Sequence, residues 1–523
     1  MKKTSPTLLV ILDGWGYADP KIPGNAITPK TAPHYFSWFK KFPHTLLAAS
    51  GEAVGLFPGQ DGNSEAGHLN LGAGRVVKQD ARYISDAIAD GTFFKNQAFQ
   101  QAIFHVRKYQ TAAHVLGLLS NHNSAHSCPE HLLALLELFR REQVARVYLH
   151  LFTDGRDSGP HDAAVHLQKL TSKFRGAERI ATVMGRFYAM DRNKNWDRIR
   201  LAYEAMVLGR GRQAPGAEAA VAEAYNCGES DEFISPTVIR VGNNPVATIR
   251  DNDAIFFFNL RSDRARELTK VFVQPDFEAI TPGGFRREQF PRHTRFVAMT
   301  DFGPDLPGVF TAFPSRDIAH GLVAALATRP QLYVAESEKF AHITYFFNGG
   351  YARHLGGEQW MKIASDGTKH WQTAPAMKAH PVAEAVLKAI REGKTDFIAV
   401  NFANADMLGH TGNLAAARQA ISILDRELNR LVKAVLKVDG RAMITADHGN
   451  AEELINGETK EVDTEHSANP VPCLLVASAA RLRRWQLKGG QKLRPGKLAD
   501  VAPTILKMMS VPRPRAMAGR PLF

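Results

Sequence analysis

Three carboxylates and three imidazoles are spaced as metal ligands would be. Asp406 and His410 lie four apart in NADMLGH, which puts both on one face if the segment is helical. Asp447 and His448 are adjacent in TADHGN, His466 stands in TEHSANPVP, and Asp13 closes the apolar run TLLVIL. Mixed oxygen and nitrogen donors suit Mn²⁺ or Zn²⁺ better than Ca²⁺ or Mg²⁺. Any one of these histidines could be an ordinary hydrogen-bonded loop residue. The set of six is too large for one tetrahedral ion that keeps a position open for substrate, so two divalent ions is the economical reading.

Two ions would give Ser64 a purpose. It lies in GQDGNSEAGHLNLGAGR, residues 59–75, where Gly, Ser and Asn could equally be plain turn formers. A serine hydroxyl is a poor nucleophile at neutral pH, and no GxSxG elbow or Ser-His-Asp order stands here to activate it. A metal ion can favour the alkoxide while a second stabilises the oxygens of the group in transfer. The group most in need of that clamp is phosphoryl. Matching cations lie in mid-chain: Arg186 and Arg192 in GRFYAMDRNKNW, Arg261, Arg264 and Arg266 in FNLRSDRARE, and Lys339 in ESEKFAH. Guanidinium groups grip phosphate and carboxylate in two-pronged fashion. Together with DGRD at 154–157 they describe an anion pocket. GKT at 393–395 is not a nucleotide-binding loop, because Lys388 stands where that motif needs glycine and a helical pattern precedes it.

Such residues must be held by regular elements. Short apolar runs recur at 7–12, 114–120, 147–152, 179–184, 254–260, 295–300, 396–402, 442–445 and 471–477. Helical patterns such as EHLLALLELFRRE (130–142) and LDRELNRLVKAVLK (424–437) lie between them. Strands alternating with helices predict an α/β protein with mainly parallel sheets. Functional groups gather at the C-terminal edge of such sheets, and four of these runs lead into Asp13, Asp406, Asp447-His448 and Asp154-Gly-Arg156-Asp157.

A chain of 523 residues is too long for one ordinary core, and two domains are expected. Cys128, Cys227 and Cys473 are few, odd in number and far apart, which argues against disulfides or a thiolate zinc site. The apolar run after the N-terminal lysines ends at Asp13, too soon for a signal peptide. No span approaches the roughly 20 apolar residues of a membrane helix. A cytoplasmic protein is expected. The net charge of +13 permits nucleic-acid binding, but the basic residues are scattered and no nucleic-acid-binding motif is present. The densest basic runs, at 481–494 and 283–295, read as solvated loops or helix faces, and attraction of a small anionic substrate is the third reading of that charge.

The motifs LDGWG (12–16), GNSEAGHLNLGAGR (62–75), DGRD (154–157), GRFYAMDR (185–192), ESEKFAH (336–342), NADMLGH (404–410) and ADHGNAE (446–452) together resemble the cofactor-independent phosphoglycerate mutases of the alkaline phosphatase superfamily. The resemblance covers nearly the whole chain in consistent order. It implies a phosphatase-like metal domain of residues 1–78 with 313–523, and a transferase domain of 79–312 inserted between them. It implies two Mn²⁺, one on Asp406, His410 and His466, the other on Asp13, Ser64, Asp447 and His448. Substrate contacts would come from His126, Arg156, Asp157, Arg186, Arg192, Arg261, Arg264 and Lys339. The implied reaction converts 3-phosphoglycerate to 2-phosphoglycerate through phospho-Ser64, with Asp157 shuttling the hydroxyl proton and Lys339 as a further catalytic residue. Excluding water during transfer would explain two domains that close over the site. A monomer acting on a small anionic substrate, without nucleic acid or membrane, completes the expectation.

This sequence departs from the family where SDGGVHSH is usual. It reads SNHNSAHSC at 120–128, with Cys128 in place of the second histidine, and Ser262 stands where proline is usual. His126 aligns with the first histidine, thirty residues before Arg156, and His122 competes for that role. The alternatives are a metal-dependent phosphatase or another phosphomutase of the superfamily, and a basic nucleic-acid-binding protein.

Overall fold

The computed structural model describes residues 5–122, 124–316, 318–367, 370–457 and 459–523. The chain forms two compact units, one of Met1–Gln79 with Arg316–Phe523 and one of Asp80–Ser315. Both are α/β.

The first unit is built on an eight-stranded sheet in the spatial order Glu358–Ile363, Gln331–Glu336, Phe397–Phe402, Thr7–Leu12, Arg441–Thr445, Val471–Ala477, His44–Ala48 and Gly496–Lys497. The five strands from Glu358–Ile363 to Arg441–Thr445 run parallel. Leu8 through Leu12 are all essentially inaccessible, as expected of a central parallel strand covered on both faces. Each such side chain contributes about 1.5–3 kcal/mol by leaving water. The helix Leu414–Lys437 buries a stripe that includes Ala417, Ile421, Leu424, Leu428, Leu431 and Val435, and Asn413 caps it by accepting the Ala416 N–H. That stripe has the three- and four-residue spacing of one helix face.

Register fixes what arrives at the sheet's C-terminal edge. Ile11 pairs with Asn401 on one side and Thr445 on the other, so Asp13 comes level with Asp447. The strand Val471–Ala477 is antiparallel to Arg441–Thr445. It therefore starts where its neighbours end, which carries His466 to the same edge.

The second unit has a nine-stranded sheet. Its main path is Val309–Phe313, Arg295–Thr300, Ala254–Phe257, Ala113–Leu119, Val147–Thr153, Glu178–Gly185, Thr237–Val241 and Arg212–Ala214. Leu119 pairs with Thr153 and Thr153 with Gly185. The next residues of those three strands, Ser120, Asp154 and Arg186, therefore form a row along one edge.

Two expectations need correction. Residue 313 belongs to the second unit, because Phe313 pairs with Thr300 in its sheet, and Gln79 belongs to the first, where its N–H donates to Gly55 O. The run 254–260 is a strand only over Ala254–Phe257. The side chain of Asn259 accepts the Leu118 N–H at 2.9 Å in place of a backbone carbonyl, which ends the ladder. The strands His44–Ala48, Gln331–Glu336 and Glu358–Ile363 were not evident as apolar runs. The three cysteines are free, and among the described residues no helix is long and apolar enough to cross a membrane.

Candidate active site

Ser64 is the first residue of the helix Ser64–Ala73, and the Asn63 side chain caps that helix by accepting the Ala66 N–H at 2.9 Å. The hydroxyl thus sits at the positive end of the helix. Glycine lets this turn approach the sheet edge. A Cβ on Gly67 would come within 2.6 Å of Asp447 O, and one on Gly14, at φ +71°, within 2.7 Å of Asp406 Cα.

The side chains around Ser64 converge closely. Ser64 Oγ lies 3.3 Å from Asp13 Oδ1 and 3.0 Å from His448 Nε2, and Lys339 Nζ donates to it at 2.8 Å. The Lys339 ammonium also lies 2.6 Å from Asp13 Oδ1 and 2.6 Å from Asp406 Oδ2. His410 Nε2 and His466 Nε2 lie 3.3 and 3.2 Å from Asp406 Oδ1. His448 Nε2 lies 3.5 Å from Asp447 Oδ2. Asp13, Asp406, Asp447, His448, Lys339 and Ser64 are all buried.

This donor set fits divalent cations. Three buried carboxylates face one ammonium, an excess of negative charge that is costly away from water. The Nδ1 atoms of His410, His448 and His466 lie 2.7, 3.2 and 2.9 Å from the carbonyls of Thr464, Gly449 and Gly62. Ring N–H groups donating there turn the Nε2 lone pairs inward, the orientation of metal-bound imidazoles. His410 Nε2 and His466 Nε2 then meet at 3.1 Å, a contact that needs a proton or a cation shared between the two lone pairs. Charge states report the same field. Burial disfavours the His448 cation, yet Asp447, Asp13 and Asp406 push it up to about 10. Burial also disfavours ionised Asp13 and Asp406, but Lys339 holds both well below the carboxylate range.

The described residues contain three such groups here: Asp406, His410 and His466; Asp13, Asp406 and His448; and Asp13, His68 and Asp447. His68 was not singled out as part of this cluster in the sequence, although it stands four residues after Ser64 on the same helix, and its Nε2 meets the Asn401 amide at 2.9 Å. Its Nδ1 points at Ser64 O, 2.9 Å away. Asp447 Oδ2 is only 3.1 Å from that nitrogen but lies off the N–H direction and has no hydrogen bond. Asn401 and Asn450 were also missed. The Asn401 amide donates to Asp13 Oδ2 at 2.7 Å, and that of Asn450 to Asp406 Oδ1 at 3.2 Å.

The second unit gathers cations at its own sheet edge. Buried Arg186 donates to Asp154 Oδ1 at 2.5 Å and lies 3.3 Å from Asp157 Oδ2. Ser120 Oγ donates to the other Asp154 oxygen, and the Arg156 and Asp157 N–H groups donate to Oδ1. Ser124 Oγ donates to Asp157 Oδ2 at 2.7 Å. Arg192 and Arg261 flank Asp263 at 3.0 and 3.5 Å, Arg156 pairs with Glu232 at 2.7 Å, and Arg264 donates to Met190 O. Burial lowers the Arg264 pKa, and Arg186, Arg192 and Arg156 add repulsion, so these guanidiniums share one field. Asp154, Glu232 and Asp263 were not evident as partners from the sequence. Arg266 lies apart, paired with Asp305 and bonded to Phe302 O.

His126 and His122 have different surroundings. His126 is buried beside Arg186, Arg261 and Arg264, its Nδ1 has no partner, and burial with those charges pushes it down to about 3. It is a neutral ring able to hydrogen-bond a ligand. His122 is exposed and pairs with Glu130 at 3.2 Å.

The matches to known proteins define the class first. Residues 84–304 match the family described as BPG-independent PGAM N-terminus, and the fold and the phosphate-suited serine site are those of a two-domain α/β enzyme. The chain is 44% identical over 99% of its length to the 2,3-bisphosphoglycerate-independent phosphoglycerate mutase 1 of Methanosarcina acetivorans, covering 98% of it. It is 42% identical over its full length to the corresponding protein of Acetivibrio thermocellus, covering 99% of it. A crystal structure of Leishmania mexicana phosphoglycerate mutase, determined at low cobalt concentration, superposes with a TM-score of 0.75 at 26% identity, covering 100% of this chain and 98% of that one. The chain belongs to the 2,3-bisphosphoglycerate-independent phosphoglycerate mutases.

Proposed function

We propose that this protein interconverts 3-phosphoglycerate and 2-phosphoglycerate without 2,3-bisphosphoglycerate, carrying the phosphoryl group transiently on Ser64. The observation that carries this reading is Ser64 Oγ itself, on a helix N-terminus and in contact with Lys339, His448 and Asp13. Full-length likeness to mutases of that name supports the same substrate.

Asp406, His410 and His466 form the set for one cation, and Asp13, Ser64, Asp447 and His448 the set for a second, with Mn²⁺ favoured by the donor types. Divalent ions bound there favour the serine alkoxide and neutralise phosphoryl oxygens.

Having given up its hydroxyl proton to solvent, Ser64 Oγ forms its bond to phosphorus as the bond from phosphorus to the C3 oxygen breaks. Lys339 faces the nucleophilic oxygen with a positive charge. The same ammonium meets the phosphoryl oxygens as charge builds on them. Asp157, when protonated, supplies the proton to the departing C3 oxygen and then takes one from the C2 hydroxyl. That second oxygen attacks phosphorus and releases Ser64. Arg156, Arg186, Arg192, Arg261 and Arg264 hold the anionic glycerate while it reorients, and neutral His126 donates or accepts one hydrogen bond. In this scheme the unit with residues 1–79 and 316–523 performs transfer, and the unit of residues 80–315 retains glycerate. We read the protein as a cytoplasmic monomer with no nucleic-acid or membrane partner.

The test is product analysis with 3-phosphoglycerate and Mn²⁺ in the absence of bisphosphoglycerate. Formation of 2-phosphoglycerate is expected. Release of inorganic phosphate and glycerate would replace this reading with that of a phosphatase. No conversion by metal-loaded protein would overturn it.

A further inference from the structure

Outside the residues used above, His122, Cys128 and Glu130 bring three different donors together. Cys128 Sγ lies 3.0 Å from Glu130 Oε2, and His122 Nδ1 lies 3.2 Å from the same oxygen. The three donor atoms all fall within 4.8 Å of one another. A tetrahedral ion with bonds of about 2.0–2.3 Å separates its ligands by about 3.3–3.8 Å. Small side-chain rotations would therefore close the set around an ion.

The surroundings permit that closure. Cys128 is buried at the N-cap of the helix Pro129–Arg141, where Glu130 is the side-chain partner of its sulfur and the Glu130 and His131 N–H groups also face it. The His122 and Glu130 side chains are 69% and 49% exposed, which gives them freedom to rotate and gives an ion a way in. At present a thiol and an imidazole crowd one carboxylate oxygen. Burial and Glu130 push the thiol up to about 12, so a thiolate here needs a compensating cation.

The geometry points to a separate metal site in which His122, Cys128 and Glu130 take one thiophilic divalent cation of the Zn²⁺ class, with water as a fourth ligand. A thiolate donor selects Zn²⁺ or Cd²⁺ over Mn²⁺, so this site and the Ser64 cluster differ in preference. Binding exchanges the thiol proton, released to solvent, for a sulfur–metal bond, with no change of oxidation state. An ion there ties His122 to the helix start across the stretch that carries Ser124 and His126, beside Asp157.

Titration of Cd²⁺ into the Mn²⁺-loaded protein tests the site, because the Ser64 cluster has no cysteine and only a thiolate gives the ultraviolet sulfur-to-cadmium band. The expected result is a band saturating at one equivalent, unchanged in Cys227→Ser, lost in Cys128→Ser, and requiring at least tenfold more Cd²⁺ in His122→Ala and in Glu130→Gln. Excess Zn²⁺ should remove it. Circular dichroism checks that Cys128→Ser is folded, and the exposed His122 and Glu130 variants provide an independent arm. Absence of the band in the unmodified protein would overturn the site. So would a band that needs Cys128 but ignores both His122→Ala and Glu130→Gln, since that is a lone thiol.

Discussion

The ammonium of Lys339 donates to Ser64 Oγ at 2.8 Å while also touching Asp13 and Asp406. A fixed positive charge at that distance stabilises negative charge on the oxygen and on the group it receives. Removing one such preorganised charge typically costs about 10²–10³ in kcat. Lys339→Met, assayed at saturating Mn²⁺, should lose activity on that scale with a smaller change in KM. An unchanged kcat would remove Lys339 from the transfer step.

Removal of divalent metal should inactivate the protein reversibly, with activity restored by Mn²⁺. Buried Asp13, Asp406 and Asp447 then lose their compensating charge, so the metal-free protein should also unfold at lower urea. Asn401 orients Asp13 through a 2.7 Å hydrogen bond, and loss of such an outer partner costs about 10–100-fold in metal affinity or activity. Asn401→Leu should therefore need more Mn²⁺ for half-maximal activity. Full activity in stringently demetallated protein would refute the metal requirement.

Arg186 is almost fully buried against Asp154 and Asp157. Breaking a buried pair by removing one partner costs about 3–5 kcal/mol, so Arg186→Met should lower stability sharply in urea unfolding. Arg192 and Arg261 are about half and two-fifths exposed. Their alanine variants should stay within about 0.5 kcal/mol in stability but raise KM for 3-phosphoglycerate. Equal destabilisation by all three would contradict the division between an arginine that also ties the framework together and two that only face the ligand.

Two buried histidines set a pH dependence of stability. Burial and nearby arginines hold His126 at about 3, and burial holds His131 at about 4, whereas an unfolded imidazole titrates near about 6.5. Between these values the unfolded chain binds protons that the folded chain refuses. The contribution is fully present above about pH 6.5 and is lost as pH falls towards 4 and 3. At pH 5 the loss is about 2 kcal/mol for one such group. His131→Asn should show a smaller drop in urea midpoint between pH 7 and pH 5 than the unmodified protein. An identical drop would exclude His131 as a source.

Much of this architecture was legible in the residues. Unbroken apolar runs such as TLLVIL mark strands buried on both faces, and an aspartate after such a run marks a sheet edge. The strand EQWMKI was not legible, because it mixes charge with apolar residues at the sheet margin. His68 and Asn401 were hidden because each sits inside a regular element, where polarity usually means only a satisfied hydrogen bond. The partners Asp154, Glu232 and Asp263 depend on pairings across 32 to 76 positions, which no local pattern encodes. Spacing to Arg156 favours His126 over His122, and burial separates the two further.

The central claim, that Ser64 carries the phosphoryl group, is tested most directly by rapid acid quenching of Mn²⁺-loaded protein turning over 3-phosphoglycerate, followed by mass spectrometry of its peptides. A phosphoryl group on the peptide containing Ser64, absent in Ser64→Ala together with mutase activity, is the predicted result. Continued interconversion by a folded Ser64→Ala variant would contradict it.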